Sequence, residues 1–260
     1  MTEKKFISQF DKDLGLSMIK TLSSSEIPHI TQDMVEVGLD AILQNGILRD
    51  IPVISTITGI AKTVISVRDK LLIRKIASFL FELQNVTDKE RGKFINDMNS
   101  EPNYQRKVGE NLLMLLERLD DLDKPILIAK IFRAYLRSDI DYRQFLRFSS
   151  VVDQMLIYDL QDLLNAILQK NRYDKYAEYL YPYGLSQIVF DDTTFLKAGS
   201  SLKGAIQSVS RPVFFPQENA LQFQLTEMTF LLAQILLEKR IGDKDYIAEN
   251  HRKLEYTDKN

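Results

Sequence analysis

Ser55, Gly59, Lys62, Thr63 and Ser66 share one property when the stretch from Ile51 to Val67 is wound as a helix. At 100° per residue they fall within an arc of about 100°. The opposite side carries Val53, Ile57, Ile60, Val64 and Val67, flanked by Ile54, Ala61 and Ile65. Such a rod has a narrow face of hydroxyls and one glycine, and a wide face of aliphatics. Its chemistry is that of a conduit wall: small residues let copies approach closely, hydroxyls face water, and aliphatics face lipid. Lys62 is the one charge between Ile51 and Val67. It would cost about 3 kcal/mol facing lipid at bilayer depth, and much less facing water. Seventeen residues span roughly 25 Å, slightly less than a ~30 Å hydrocarbon core. A buried central helix of a helical body has the same periodicity, so the pattern admits both readings.

The basic turns that follow, Arg68, Lys70, Arg74 and Lys75, face only Asp69 as a counter-charge. They suit phosphate headgroups beside a membrane segment, or the solvated face of an ordinary helix.

A second candidate lies far downstream. From Thr193 to Gln217 there is no acidic residue, whereas Lys197, Lys203 and Arg211 supply positive charge. Gly199, Ser200, Ser201, Gly204, Ser208 and Ser210 supply hydroxyls and accessible backbone N–H groups, a combination that holds phosphate. Phe214 and Phe215 offer stacking surfaces for bases. Three cations are few for duplex DNA but enough for a nucleotide or short oligonucleotide. A solubilising insertion is the alternative.

Other chemistry is scarce. The chain of 260 residues has no cysteine and two histidines, His29 and His251. Disulfides, thiolate catalysis and cysteine-based metal sites are excluded. Asp120, Asp121 and Asp123 gather carboxylates without the spacing of a metal loop, and a helix end followed by an N-cap accounts for them. No phosphate-binding loop, nucleophile elbow, zinc-protease or dinucleotide motif is present. The expectation is a non-enzyme with no cofactor and no metal. A formal charge of −2 gives no global attraction to nucleic acid or anionic lipid. The start, MTEKKFISQF, lacks a secretory pattern, so the expected location is cytoplasmic or associated with the inner membrane.

The elements that must position these residues are mostly helices. Phe6, Phe10, Leu14, Met18 and Leu22 have helical spacing, and a second helix is expected from Thr31 to Asn45. Asp50 and Pro52 open the apolar helix, which is expected to run on through Leu71 and beyond. Thr87 to Glu90 reads as a capping box, Asp123 with Pro125 starts another helix, and Asp141 caps a further one. After Tyr158 come two short helices, a strand in GLSQIVF, a long loop, a strand in LQFQL, and a helix beginning at Thr226. The expected fold is mainly α, with a helical N-terminal body over 1–157 and a C-terminal winged-helix-like α+β region over 158–240. A long wing loop over 191–219 and a charged tail over 241–260 complete it. The winged-helix echo is Gly184-Leu185 before the first strand and Phe223-Gln224-Leu225-Thr226 leading into the last helix.

The run GILRDIPVISTITGIAKTVISVRDKLLIRKIASFLFEL, followed by RKVGENLLMLLERLDDLDKP, resembles small bacterial effectors of anti-phage operons, the Hailong type paired with a nucleotidyltransferase. The resemblance covers about residues 40–150. It implies a homo-oligomeric membrane ion channel opened by a nucleotide or oligonucleotide second messenger from an operon-encoded nucleotidyltransferase. Ser55, Gly59, Lys62, Thr63 and Ser66 would line it, with Lys197, Lys203 and Arg211 holding the signal. The alternative is a soluble winged-helix-like regulatory or interaction protein that binds DNA or a protein partner.

Overall fold

A computed structural model describes residues 14–24, 30, 48, 50–60, 66–87, 89–90, 92, 94, 102–169, 174–190 and 221–238. The chain divides into two compact units, Met1–Ile157 and Tyr158–Asn260. It is mainly helical, with one small sheet of two strands among the described residues.

In the first unit, α1 (residues 14–23) precedes α2 (Pro52–Ile60), α3 (Val67–Glu82), α4 (Pro102–Arg118), α5 (Lys124–Leu136) and α6 (Tyr142–Gln154). Local chemistry sets several starts. Asp141 accepts the Gln144 N–H at 2.7 Å while the Gln144 side chain accepts the Asp141 N–H at 2.9 Å, a reciprocal box that opens α6. Thr87 and Glu90 make the same exchange, with the Glu90 carboxylate accepting the Thr87 N–H at 2.8 Å. Asp123 precedes α5, but its side chain makes no capping bond; Pro125 in the first turn supplies the favourable φ instead.

Helix α3 packs on α5, α5 on α6, and α4 on both α3 and α6. The core is centred on Phe132, fully buried, whose ring touches Phe79, Phe94, Tyr135 and Phe145 at centroid separations of 5.5–5.9 Å. Ile73, Ile76, Leu116, Ile128, Ile131 and Phe148 complete it. Each such side chain contributes about 1.5–3 kcal/mol of burial free energy.

The second unit contains α7 (Ile157–Leu168), which starts at the boundary, then α8 (Asp174–Leu180), β1 (Ser186–Phe190), β2 (Leu221–Leu225) and α9 (Glu227–Leu237). The strands are antiparallel, with Ser186 opposite Leu225 and Phe190 opposite Leu221. A single 3₁₀ turn, Tyr181–Tyr183, ends at Gly184, whose φ of +70° is a left-handed position that favours glycine. The Gly184 and Leu185 N–H groups close that turn on Tyr181 and Leu180. The Leu185 carbonyl then accepts the Thr226 N–H at 2.9 Å and the hydroxyls of Thr226 and Thr229. Thr226 has the extended backbone of an N-cap, yet its hydroxyl meets the Leu185 carbonyl and the Thr229 hydroxyl rather than capping a backbone N–H of the helix. The wing loop and the charged tail lie outside the described residues, as does the helix expected from Thr31 to Asn45.

Candidate functional site

Helix α2 is the described part of the apolar stretch. Pro52 is its first residue, as its fixed φ allows. Val53, Ile54 and Ile57 are buried, so the aliphatic face lies against protein. Its neighbour α1 holds it by hydroxyl chemistry. Thr21 donates to the Ser17 carbonyl at 2.9 Å and accepts the Val53 N–H at 3.2 Å, one of the amides at the helix start that has no intrahelical partner. Ser17 Oγ and Thr56 Oγ1 lie 2.7 Å apart. Thr56 and Thr58 also donate back to the carbonyls of Pro52 and Ile54, four residues earlier, at 2.8 and 3.0 Å.

Ser55 and Gly59 are exposed on the outer side of α2, and a β-carbon at Gly59 would meet nothing within 4 Å. Lys62 and Thr63 lie outside the described residues. Ser66 does not continue the helix. Its backbone is extended (φ −70°, ψ 158°), and with Asp69 it forms a capping box that opens α3. The Asp69 N–H donates to Ser66 Oγ at 3.1 Å, and the Ser66 N–H donates to Asp69 at 3.2 Å. The unbroken rod expected from Ile51 through Val67 is therefore corrected: the chain is extended at Ser66, which caps the next helix. The structure places Ser55 and Gly59 on the exposed side of α2 and Ser66 at the start of α3. Among the described residues no helix is long and apolar enough to cross a membrane.

Lys75 and Arg68, from the basic turns of α3, are engaged in the fold. Lys75 donates its ammonium to the carbonyls of Glu117 (2.8 Å) and Leu119 (2.6 Å), the unpaired end of α4. Partial burial lowers the Lys75 pKa from its ordinary value, against the opposing pull of Glu117 and Asp120. Arg68 pairs with Glu117 across the same helices. Lys124 repeats the pattern at the end of α6. Its buried ammonium meets the Asp153 carbonyl at 2.9 Å and Asp120 at 2.5 Å, while Arg118 holds the Asp153 carboxylate at 2.7 Å. The hydrogen bond from Lys124 holds the Asp120 pKa below the usual carboxylate range. Two lysines thus complement the negative ends of two helix dipoles. The run Asp120, Asp121, Asp123 is accounted for by this packing: Asp121 accepts the Asp123 N–H at 2.7 Å. No group of side chains able to hold a metal occurs among the described residues.

Burial raises the Tyr142 pKa; the ring stacks on Phe145 and its hydroxyl accepts from Asn111 at 3.3 Å, all as part of the core. Lys197, Lys203 and Arg211, proposed from sequence to hold a ligand, lie outside the described residues, as do His29 and His251. Sequence reasoning missed the α1–α2 hydroxyl contacts and the buried role of Lys124. The spacing of Ser17, Thr21 and Thr56 gives no local signal for the former. Asp120 and Lys124, four apart, do give one for the latter. Comparison of the chain with protein-family models, with curated proteins and with solved structures returned no match.

Proposed function

We propose that this chain is a non-enzymatic defence effector that acts on membranes, forming an oligomeric ion channel or pore gated by a nucleotide or oligonucleotide signal. The observation that carries the reading is the bonding of Thr56 and Thr58. Each donates its hydroxyl proton to a carbonyl of α2 itself, so that proton stays paired in an apolar medium even where the contacts with Ser17 and Thr21 are given up. Its aliphatic chains, Val53, Ile54 and Ile57, are sheltered, and Ser55 and Gly59 form a small outer face. Lipid tails are as apolar as a protein core, so moving those three aliphatics from core to lipid is close to neutral. The described form is then the closed one. Opening undoes the Ser66 capping box at a cost of about 1 kcal/mol.

On this reading the second unit receives the signal. The order helix, helix, strand, strand, helix supports a winged-helix-like domain. Lys197, Lys203 and Arg211 hold the phosphates of a messenger made by an operon-encoded nucleotidyltransferase.

Gly59→Leu tests the reading cleanly, because the added side chain meets nothing within 4 Å at its first carbon. The variant is expected to melt at or slightly above the wild-type temperature while losing dye release from anionic vesicles and growth arrest in cells. Unchanged leakage, or a wild type that never reaches the membrane fraction when the neighbouring gene product is supplied, overturns it. A protein that instead binds duplex DNA with steep salt dependence is a regulator.

A further inference from the structure

Three aromatic rings wall one cavity where α5 ends and α6 begins. Phe94, Tyr135 and Tyr142 line it together with Leu136 and Ile140, and its volume is about 390 Å³. The reversal of the chain at Ser138, in its left-handed conformation, brings the last turn of α5 against the first turn of α6. Tyr135 and Tyr142 thereby meet at a centroid separation of 5.6 Å and an angle of 54°. Phe94 stands at 85° to Tyr135, 6.1 Å away. Both tyrosines are half-buried, so their rings are part wall and part core. One charged group shares the lining, the carboxylate of Asp141. Among the described residues no lysine, arginine or histidine lines the cavity. Arg137, next in sequence to Leu136, is held by Glu90 at 2.7 Å.

We infer that this cavity binds the head of a small quaternary ammonium compound. The face of an aromatic ring carries negative charge density, and rings set at wide angles offer it from several sides. A cation clothed in methyl groups presents an apolar surface to such walls while keeping its charge. The fold already fixes the counter-charge: one Asp141 oxygen accepts the Gln144 N–H at 2.7 Å, which holds the carboxylate at the start of α6 and leaves its second oxygen for a ligand. A neutral apolar occupant would leave that carboxylate unmatched, and an anion would face it as a like charge. A bare metal cation would need several oxygens, which three rings and two aliphatic chains do not supply. The volume lies within the range of small-ligand clefts. The cavity lies apart from α2 and needs nothing of the membrane reading.

The test uses choline and its neutral carbon analogue, in which a tert-butyl group replaces trimethylammonium, in ligand-observed saturation-transfer NMR on the full-length protein. Choline is expected to bind saturably in the millimolar range, and the analogue at least roughly tenfold more weakly. Asp141→Asn keeps an oxygen able to cap α6, so the melting curve should hold while choline affinity falls roughly tenfold. Tyr142→Phe, which keeps the ring, should bind as the wild type does, and Tyr142→Leu should bind roughly tenfold more weakly. Equal binding of choline and its analogue would reduce the cavity to an apolar hole and overturn the assignment. So would choline affinity indifferent to Asp141→Asn, or no saturable choline binding at tens of millimolar.

Discussion

The backbone of Gly15 in α1 occupies the space that a side chain on Gly109 in α4 would need. A β-carbon at position 109 would fall inside contact distance of the Gly15 carbonyl oxygen and 2.9 Å from its carbonyl carbon. The reverse approach is looser: a β-carbon at Gly15 would meet the flexible Glu110 side chain at 2.7 Å and the Arg106 carbonyl at 3.0 Å. The two helices cross as closely as they do because both positions are glycine.

Three glycine-to-alanine variants should therefore separate in thermal or urea melts. Gly109→Ala meets rigid backbone and is expected to destabilise by about 2–3 kcal/mol. Gly15→Ala is expected to cost about 1 kcal/mol, because Glu110 can turn aside. Gly59→Ala, in open space on α2, should stabilise by about 0.5–1 kcal/mol through helix propensity. An order other than 109, 15, 59 would contradict the crossing.

Asp120 and Lys124 make an unequal pair, one exposed and one buried. Replacing Asp120 takes the counter-charge from the buried ammonium and leaves it the neutral Asp153 carbonyl, whereas replacing the ammonium with an apolar chain leaves no buried charge. Asp120→Asn is expected to destabilise more than Lys124→Met, by about 1–2 kcal/mol after solvent screening of Asp120. The Asp120 pKa is lower in the folded protein than in the unfolded chain, so its contribution is full above the unfolded value of about 3.9 and fades as pH falls through the folded one. Urea midpoints of wild type and Asp120→Asn should stay a constant distance apart from pH 7 to about 4 and converge below.

Ser138 adopts φ +62° at the end of α5, where its N–H bonds to the Tyr135 carbonyl at 2.9 Å and the Asp139 N–H to Ala134 at 3.0 Å. This is a Schellman closure with serine at the left-handed position, where glycine fits without strain. Ser138→Gly is expected to raise stability by about 0.5–1 kcal/mol, and Ser138→Val to lower it by more, as read by melting temperature.

Ser66→Ala removes the hydroxyl that accepts the Asp69 N–H. Destabilisation of about 1 kcal/mol is expected. If activation undoes this capping box, the same change should increase vesicle leakage, so stability and leakage move in opposite directions. Parallel losses would argue against that opening.

Much of the local structure was legible in sequence because its signals are short-range. The reciprocal boxes at Thr87 and Asp141 and the strand in Gly184–Phe190 follow from residues three or fewer positions apart, or from a short run with β-branched residues after a turn glycine. The break at Ser66 was legible too, since Ser66-Val67-Arg68-Asp69 is itself a capping box, but the aliphatic run on both sides outweighed it. The Gly15–Gly109 crossing and the bonds of Lys75 and Lys124 to helix ends were not legible, because each joins positions fixed only once the helices have packed. Of the candidate site, Ser55 and Gly59 fall on one outer face as their spacing requires, while Lys62, Thr63, Lys197, Lys203 and Arg211 lie outside the described residues.

The Leu185 carbonyl, accepting from both Thr226 and Thr229, works as an alignment pin for the strand pair. It fixes which residue of β2 faces which residue of β1 from the base of the pair, at the end opposite to where the segment 191–220 joins the strands in sequence. The length of that joining segment is thereby released from any duty to set register. Severing the chain there, or splicing in foreign sequence, should leave two pieces that still recognise one another in the same alignment.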